Sequence, residues 1–284
     1  MHNNVVRLQA GPLKALYFMH GITGSSYVFV KILRHLNLKV AAYGINSLGF
    51  HGAWTPVATI EDLGRDYAQA ILATDQTGPY IVVGWSIGAV IALETARALL
   101  GEAQGQVELI ILDGTFGKRL PGQESVAEGA HGQPSWVWRR FVGNFIDWDL
   151  ANSPFLEQLL SINELDDRLE TIWTRGQTYK LPWFTGRFDA RSFRGQFSYF
   201  CSLQRAADTY MPTPYEGRSF HYVAQSRHDK AQRARWERLA RGPTSFIPVA
   251  GDHRTMILEE SNCVRLSHQL RHVLTPLLSA STRS

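Results

Sequence analysis

Apolar residues along this chain follow two rhythms. Short unbroken runs occur in KALYFMHG (14–21), KVAAYGIN (39–46), IVV (81–83), VELIILDG (107–114), SFHYVAQS (219–226) and TSFIPVAG (244–251). Continuous runs of this kind predict strands covered on both faces, as in a parallel sheet. Between them, 26–36, 59–75, 89–99, 228–240 and 262–278 read as helices. Thr59 is placed as an N-cap with Asp62 three positions later, a helix-start signature. Strands separated by helices predict an α/β fold with right-handed crossovers. From 117 to 205 the rhythm changes to Trp-, Phe- and Arg-rich sequence, helical in pieces and without a buried strand. The expected organisation is a sheet domain of 1–116 and 206–284 interrupted by a helical insertion, 117–205.

Composition narrows the class. Of 284 residues, 44% are apolar and 19% charged, which suits a large core and excludes a disordered chain. No run of about 18 apolar residues predicts a membrane span, and the N-terminus lacks a signal-peptide layout. Cys201 and Cys263 make no metal or redox spacing, so no metal is expected and a reducing cytoplasm is the plain setting. The net charge of +4 is concentrated at Arg168, Arg175, Lys180, Arg187, Arg191, Arg194 and Arg205, and again over 227–241. No nucleic-acid motif accompanies these charges. They read as a solvated face or as a surface for an acidic protein partner.

The stretch GPYIVVGWSIGAVIALETARAL changes from strand to helix around Gly84-Trp85-Ser86-Ile87-Gly88. A serine at so tight a corner projects from the carboxyl edge of the sheet, where ligands bind in open α/β folds. Small residues on either side let strand and helix backbones approach. The pattern fits a nucleophile elbow, with Ser86 as nucleophile and the Ile87 N–H as one oxyanion donor. A serine hydroxyl needs a base to take its proton. His253, in the loop GDHRTM after a strand, is the best placed of the ten histidines, and His228 is its rival. Asp113, at the end of ELIILDG, has a stiff mounting for the orienting acid, while Asp229 stays open as the alternative. The loop FMHGITGSS offers the Ile22 N–H as the second oxyanion donor, with His20 read as structural.

The segments LYFMHGITGSS, TIEDLGRDYAQAI, GPYIVVGWSIGAVIALETARAL, VELIILDG and IPVAGDHRTMI together resemble the thioesterase family of the α/β-hydrolase superfamily. These are the domains that release products from non-ribosomal peptide and polyketide synthases. The resemblance implies an α/β-hydrolase fold with a mostly parallel central sheet flanked by helices and a helical lid at the insertion. It implies Ser86, Asp113 and His253 as the catalytic set and Ile22 with Ile87 as oxyanion donors. It also implies an acyl or peptidyl substrate on the phosphopantetheine arm of a carrier protein or synthetase module, with no resident cofactor, nucleic acid or membrane. Ala89 departs from the family's usual second glycine, and Ile87 differs from the methionine common in its discrete editing members.

The insertion's rings, among them Trp136, Trp138, Phe141, Phe145, Trp183, Phe184, Phe197 and Phe200, read either as walls of an apolar chamber or as packing between small helices. A dry chamber favours cyclisation or amide formation over hydrolysis. A carboxylesterase or acyltransferase acting on free small molecules would keep the same three residues. A non-catalytic binding scaffold would not need them. Neither TGPY nor GITGSS ends in the G-K-[ST] of a phosphate loop.

Overall fold

A computed structural model of the protein describes residues 4–48, 54–102, 106–116, 125–127, 132–179, 190–225 and 230–280. The sheet opens with β1 (Val5–Gln9) and β2 (Leu13–Met19), followed by α1 (Val30–Leu36), β3 (Val40–Ile45) and α2 (Ile60–Leu72). β4 (Tyr80–Trp85), α3 (Gly88–Glu102) and β5 (Val107–Leu112) come next. Among the described residues, the α-helices α4 (Ser135–Phe145), α5 (Pro154–Ser161), α6 (Leu165–Thr178) and α7 (Ala190–Thr209) then intervene. β6 (Arg218–Ala224), α8 (Lys230–Leu239), β7 (Thr244–Val249), α9 (Thr255–Leu258) and α10 (Glu260–Ala280) follow.

The seven strands lie in the order β1-β3-β2-β4-β5-β6-β7. β1 pairs antiparallel with β3 and every other pairing is parallel. The unbroken apolar runs follow from burial on both sides. Tyr17, Met19, Val82, Leu109 and Ile111 face one core with α2 and α3. Leu16, Phe18, Ile81, Val83, Ile110 and Leu112 face the other, with α1 and α10. α2 buries the stripe Ile60, Leu63, Tyr67 and Ile71, and Thr59 caps it by accepting the Asp62 N–H at 3.0 Å.

β1 escaped the sequence reading because it is an edge strand, only half-buried and antiparallel. α7 runs to Thr209, four residues beyond 205. No helix among the described residues is long and apolar enough to cross a membrane.

Candidate active site

The corner between β4 and α3 is as tight as its small residues allow. A Cβ on Gly84 would lie 2.2 Å from the Gly88 carbonyl oxygen, and one on Gly88 2.6 Å from the His20 carbonyl oxygen. Ser86 takes a left-handed backbone, φ 60°, which costs a non-glycine residue about 1–3 kcal/mol. Two bonds to the β5 exit hold it there. The Ser86 N–H donates to the Leu112 carbonyl at 3.3 Å, and its own carbonyl accepts the Thr115 N–H at 3.1 Å.

Those bonds set the serine beside Asp113, the residue after β5. Asp113 is also left-handed, φ 43°, and its N–H donates to the Tyr222 carbonyl at 2.7 Å. One carboxylate oxygen accepts the Ala224 N–H at 3.1 Å. The other lies 2.6 Å from His253 Nδ1, and His253 Nε2 lies 2.9 Å from Ser86 Oγ. Three residues from separate segments thus meet in one hydrogen-bonded line above the carboxyl edge of the sheet.

His253 is carried by a reinforced loop after β7. The Asp252 carboxylate accepts the N–H groups of Thr255 and Arg254, each at 2.8 Å. These bonds, that of Thr255 foremost, hold Asp252 below the usual carboxylate range. Trp85, absent from the sequence-predicted set, donates its indole N–H to the His253 carbonyl at 3.0 Å. Its ring stacks on the imidazole, centroids 5.4 Å apart and planes 26° from parallel. Only the Trp85 position next to the serine could have hinted at this.

The loop after β2 runs alongside the elbow, since Met19 pairs with Gly84 and Gly88 packs on the His20 carbonyl. Among the described residues, neither the Ile22 nor the Ile87 N–H donates to another backbone carbonyl. His20 itself is fully buried and bonded to Tyr67 and Tyr199. His221, in β6, is also buried, which lowers its pKa to about 3, and His268 and His272 pack edge to face on α10. His228 and the alternative acid Asp229 lie outside the described residues.

For the rings described, the geometry favours the second of the two readings of 117–205, packing between helices. Trp138, Phe141, Phe145, Phe193, Phe197 and Phe200 are buried against one another, with centroids from 4.3 to 6.1 Å apart. They pack between the helices of the segment, in one apolar core continuous with that of α2, α3 and the sheet. Several arginines are likewise committed: Arg168 to the Ile162 carbonyl and the Trp138 face, Arg175 to Phe155, Arg194 to Asp166. Trp183, Phe184, Phe188, Lys180 and Arg187 lie outside the described residues. The segment reaches the site through Trp148, over which the guanidinium of Arg254 lies at 5.5 Å.

A mostly parallel sheet with a half-buried serine at the β4–α3 corner defines a protein of the α/β-hydrolase fold. The chain belongs to the thioesterase domain family, whose model matches residues 14–272. It is 22% identical over 269 residues to atromentin synthetase of Tapinella panuoides, covering 90% of this chain and 26% of that protein. It is 36% identical over 81 residues to N-(5-amino-5-carboxypentanoyl)-L-cysteinyl-D-valine synthase of Amycolatopsis lactamdurans, covering 26% of this chain and 2% of that one. The chain therefore spans a small part of these much longer relatives. Among solved structures it superposes on the four-domain nonribosomal peptide synthetase AB3403 with a TM-score of 0.80 at 21% identity, over 95% of this chain and 20% of that one. The NocB thioesterase domain in covalent complex with a fluorophosphonate nocardicin G analogue matches with a TM-score of 0.64 at 19% identity, over 95% and 99% of the two chains. At these identities the structural likeness shows the fold.

Proposed function

We propose that Ser86 takes an acyl or peptidyl group from the phosphopantetheine arm of a carrier protein, and that the resulting ester is released by water or by an amine or hydroxyl nucleophile. The carrying observation is the line Ser86 Oγ, His253 and Asp113, with contacts of 2.9 and 2.6 Å, in a member of the thioesterase domain family. Synthetases of peptide and related natural products among the relatives support the carrier-bound substrate and a role in such biosynthesis. Cys201 and Cys263, both free and buried, suit a cytoplasmic setting.

The chemistry follows from the donors and acceptors. An ionised Asp113 only accepts, so His253 Nδ1 carries hydrogen and Nε2 is left to take the Ser86 proton. Ser86 Oγ attacks the thioester carbonyl and its proton passes to Nε2. The Ile22 and Ile87 N–H groups receive the oxyanion. The carbon–sulfur bond breaks, and the imidazolium protonates the departing pantetheine sulfur. In the second half-reaction His253 deprotonates water, an amine or a hydroxyl, which attacks the acyl-serine carbonyl; the ester carbon–oxygen bond breaks and the imidazolium returns the proton to Oγ. The helices between β5 and β6 act as the lid, a role supported by the Arg254–Trp148 contact.

The test is labelling by a serine-directed fluorophosphonate, read by intact mass, beside turnover of a matched acyl-pantetheine thioester and oxygen ester. Wild-type labelling, lost in Ser86→Ala, with a preference for the thioester that rises with a loaded carrier protein, is the expected result. Labelling that persists in Ser86→Ala overturns the nucleophile. Equal rates on both esters with no response to the carrier leave an esterase of free small molecules.

A further inference from the structure

The oxyanion loop hangs on a buried polar chain that reaches into the helical segment. The Gly21 carbonyl accepts two bonds, from His20 Nδ1–H at 2.7 Å and from the Gly24 N–H at 3.0 Å. In a trans peptide the C=O and the following N–H point in opposite directions. Fixing the Gly21 carbonyl therefore aims the Ile22 N–H the other way. The space beside Gly21 is open, since a Cβ there would meet nothing within 4 Å.

The tautomer of His20 follows from its partners. A carbonyl can only accept, so Nδ1 carries the hydrogen and Nε2 must be the acceptor. Around Nε2 lie the hydroxyls of Tyr67, at 2.7 Å, and Tyr199, at 3.1 Å. Burial holds all three residues neutral, lowering His20 to about 4 and raising both phenols. Donation into Nε2 polarises the ring and strengthens Nδ1–H as a donor. Tyr67 comes from α2, whereas Tyr199 comes from α7 and carries Trp54 on its ring at 5.2 Å.

We infer that Tyr199 and Tyr67 are positioning residues for the oxyanion peptide, acting through His20, so that α7 sets the aim of the Ile22 N–H. The inference rests on the acyl-transfer reading above. His20 does not touch the reacting atoms; it acts through the Gly21 carbonyl.

The experiment is a double-mutant cycle on the full chain. Tyr199→Phe removes one hydroxyl and keeps the ring. His20→Asn places an amide N–H close to where Nδ1–H was and cuts the link to both tyrosines. Removing a whole oxyanion donor slows turnover by about 100- to 1,000-fold, so a misaimed one should cost about 10-fold in kcat. Expected for Tyr199→Phe are that loss in kcat on an acyl-pantetheine thioester with KM unchanged, and an equal loss in affinity for a boronic acid whose serine adduct occupies the hole. In the His20→Asn background Tyr199→Phe should change nothing. Additive losses, an unchanged kcat, or a loss confined to KM and thermal stability would overturn the inference. Tyr67→Phe repeats the test if Tyr199→Phe does not fold. The amide resonance of Ile22 should shift in Tyr199→Phe whether or not the protein turns over substrate. A shift without fluorophosphonate labelling of the wild type would thus sink the acyl-transfer reading alone, and labelling without a shift the relay alone.

Discussion

Trp85 clamps His253 twice, by its ring face against the imidazole at 5.4 Å and by its indole N–H on the His253 carbonyl at 3.0 Å. Trp85, immediately before Ser86, thus fixes both the loop and the ring of His253, the proposed base. In the proposed acyl transfer, the positive charge on the imidazole develops against a π face, an arrangement worth about 0.5–2 kcal/mol. Trp85→Phe keeps the face and loses the N–H; Trp85→Leu loses both. The pseudo-first-order rate of fluorophosphonate labelling should fall about 3-fold in the first and about 30-fold in the second, at about 1.4 kcal/mol per tenfold. Equal rates in wild type and Trp85→Leu would show that the stacking is idle.

Asp113 offers a cleaner substitution than most buried acids. Its left-handed backbone, φ 43°, is one that asparagine adopts readily, so Asp113→Asn should fold. It leaves an amide where Nδ1–H needs a full carboxylate, and the loss in kcat should be about 10⁴-fold. Asp229→Asn should leave steady-state turnover near wild type. The reverse pattern in the same assay would transfer the orienting role to Asp229.

How far the site was legible in sequence depends on how local each signal is. The corner at Ser86 was readable because strand, turn and helix follow one another within 81–99, and the small residues at 84 and 88 mark where backbones touch. Asp113 and His253 were readable as residues just past apolar runs. Trp85, Tyr67 and Tyr199 were not, since their roles depend on groups that meet only in the folded chain. Tyr67 reads simply as part of the buried stripe of α2. Aromatic density in the insertion was visible, but a ring that lines a cavity and one that packs on a neighbour have the same sequence. Trp138, Phe141 and Phe197 do the second.

Two glycine substitutions separate close approach from mere flexibility. In Gly84→Ala the new methyl would meet the Gly88 carbonyl at 2.2 Å, a backbone clash that no side-chain movement relieves. The elbow must then open, with a loss of about 1–3 kcal/mol or more and of phosphonate labelling. Gly101, in the last turn of α3, has open space where a Cβ would go. Gly101→Ala should gain about 0.5–1 kcal/mol from helix propensity and leave labelling untouched. Thermal unfolding and labelling of the two variants together check the contrast.

Acid should destabilise the protein through histidines that take no part in the chemistry. Burial lowers His20 to about 4 and His221 to about 3, from an ordinary 6.5. Between the folded and unfolded values the unfolded chain binds more protons, so stability rises with pH through this window and is complete above about 6.5. As pH falls toward 4, each histidine withdraws about 3 kcal/mol, a large share of the roughly 5–15 kcal/mol available to a folded domain. His221 stacks on Phe246 at 4.8 Å, so His221→Phe keeps a ring there and removes the titration. Urea unfolding at pH 7 and pH 5 should show a smaller drop in stability for that variant than for wild type. An identical drop would mean that His221 titrates alike in the folded and unfolded chain, which contradicts an imidazole held neutral by its burial in β6.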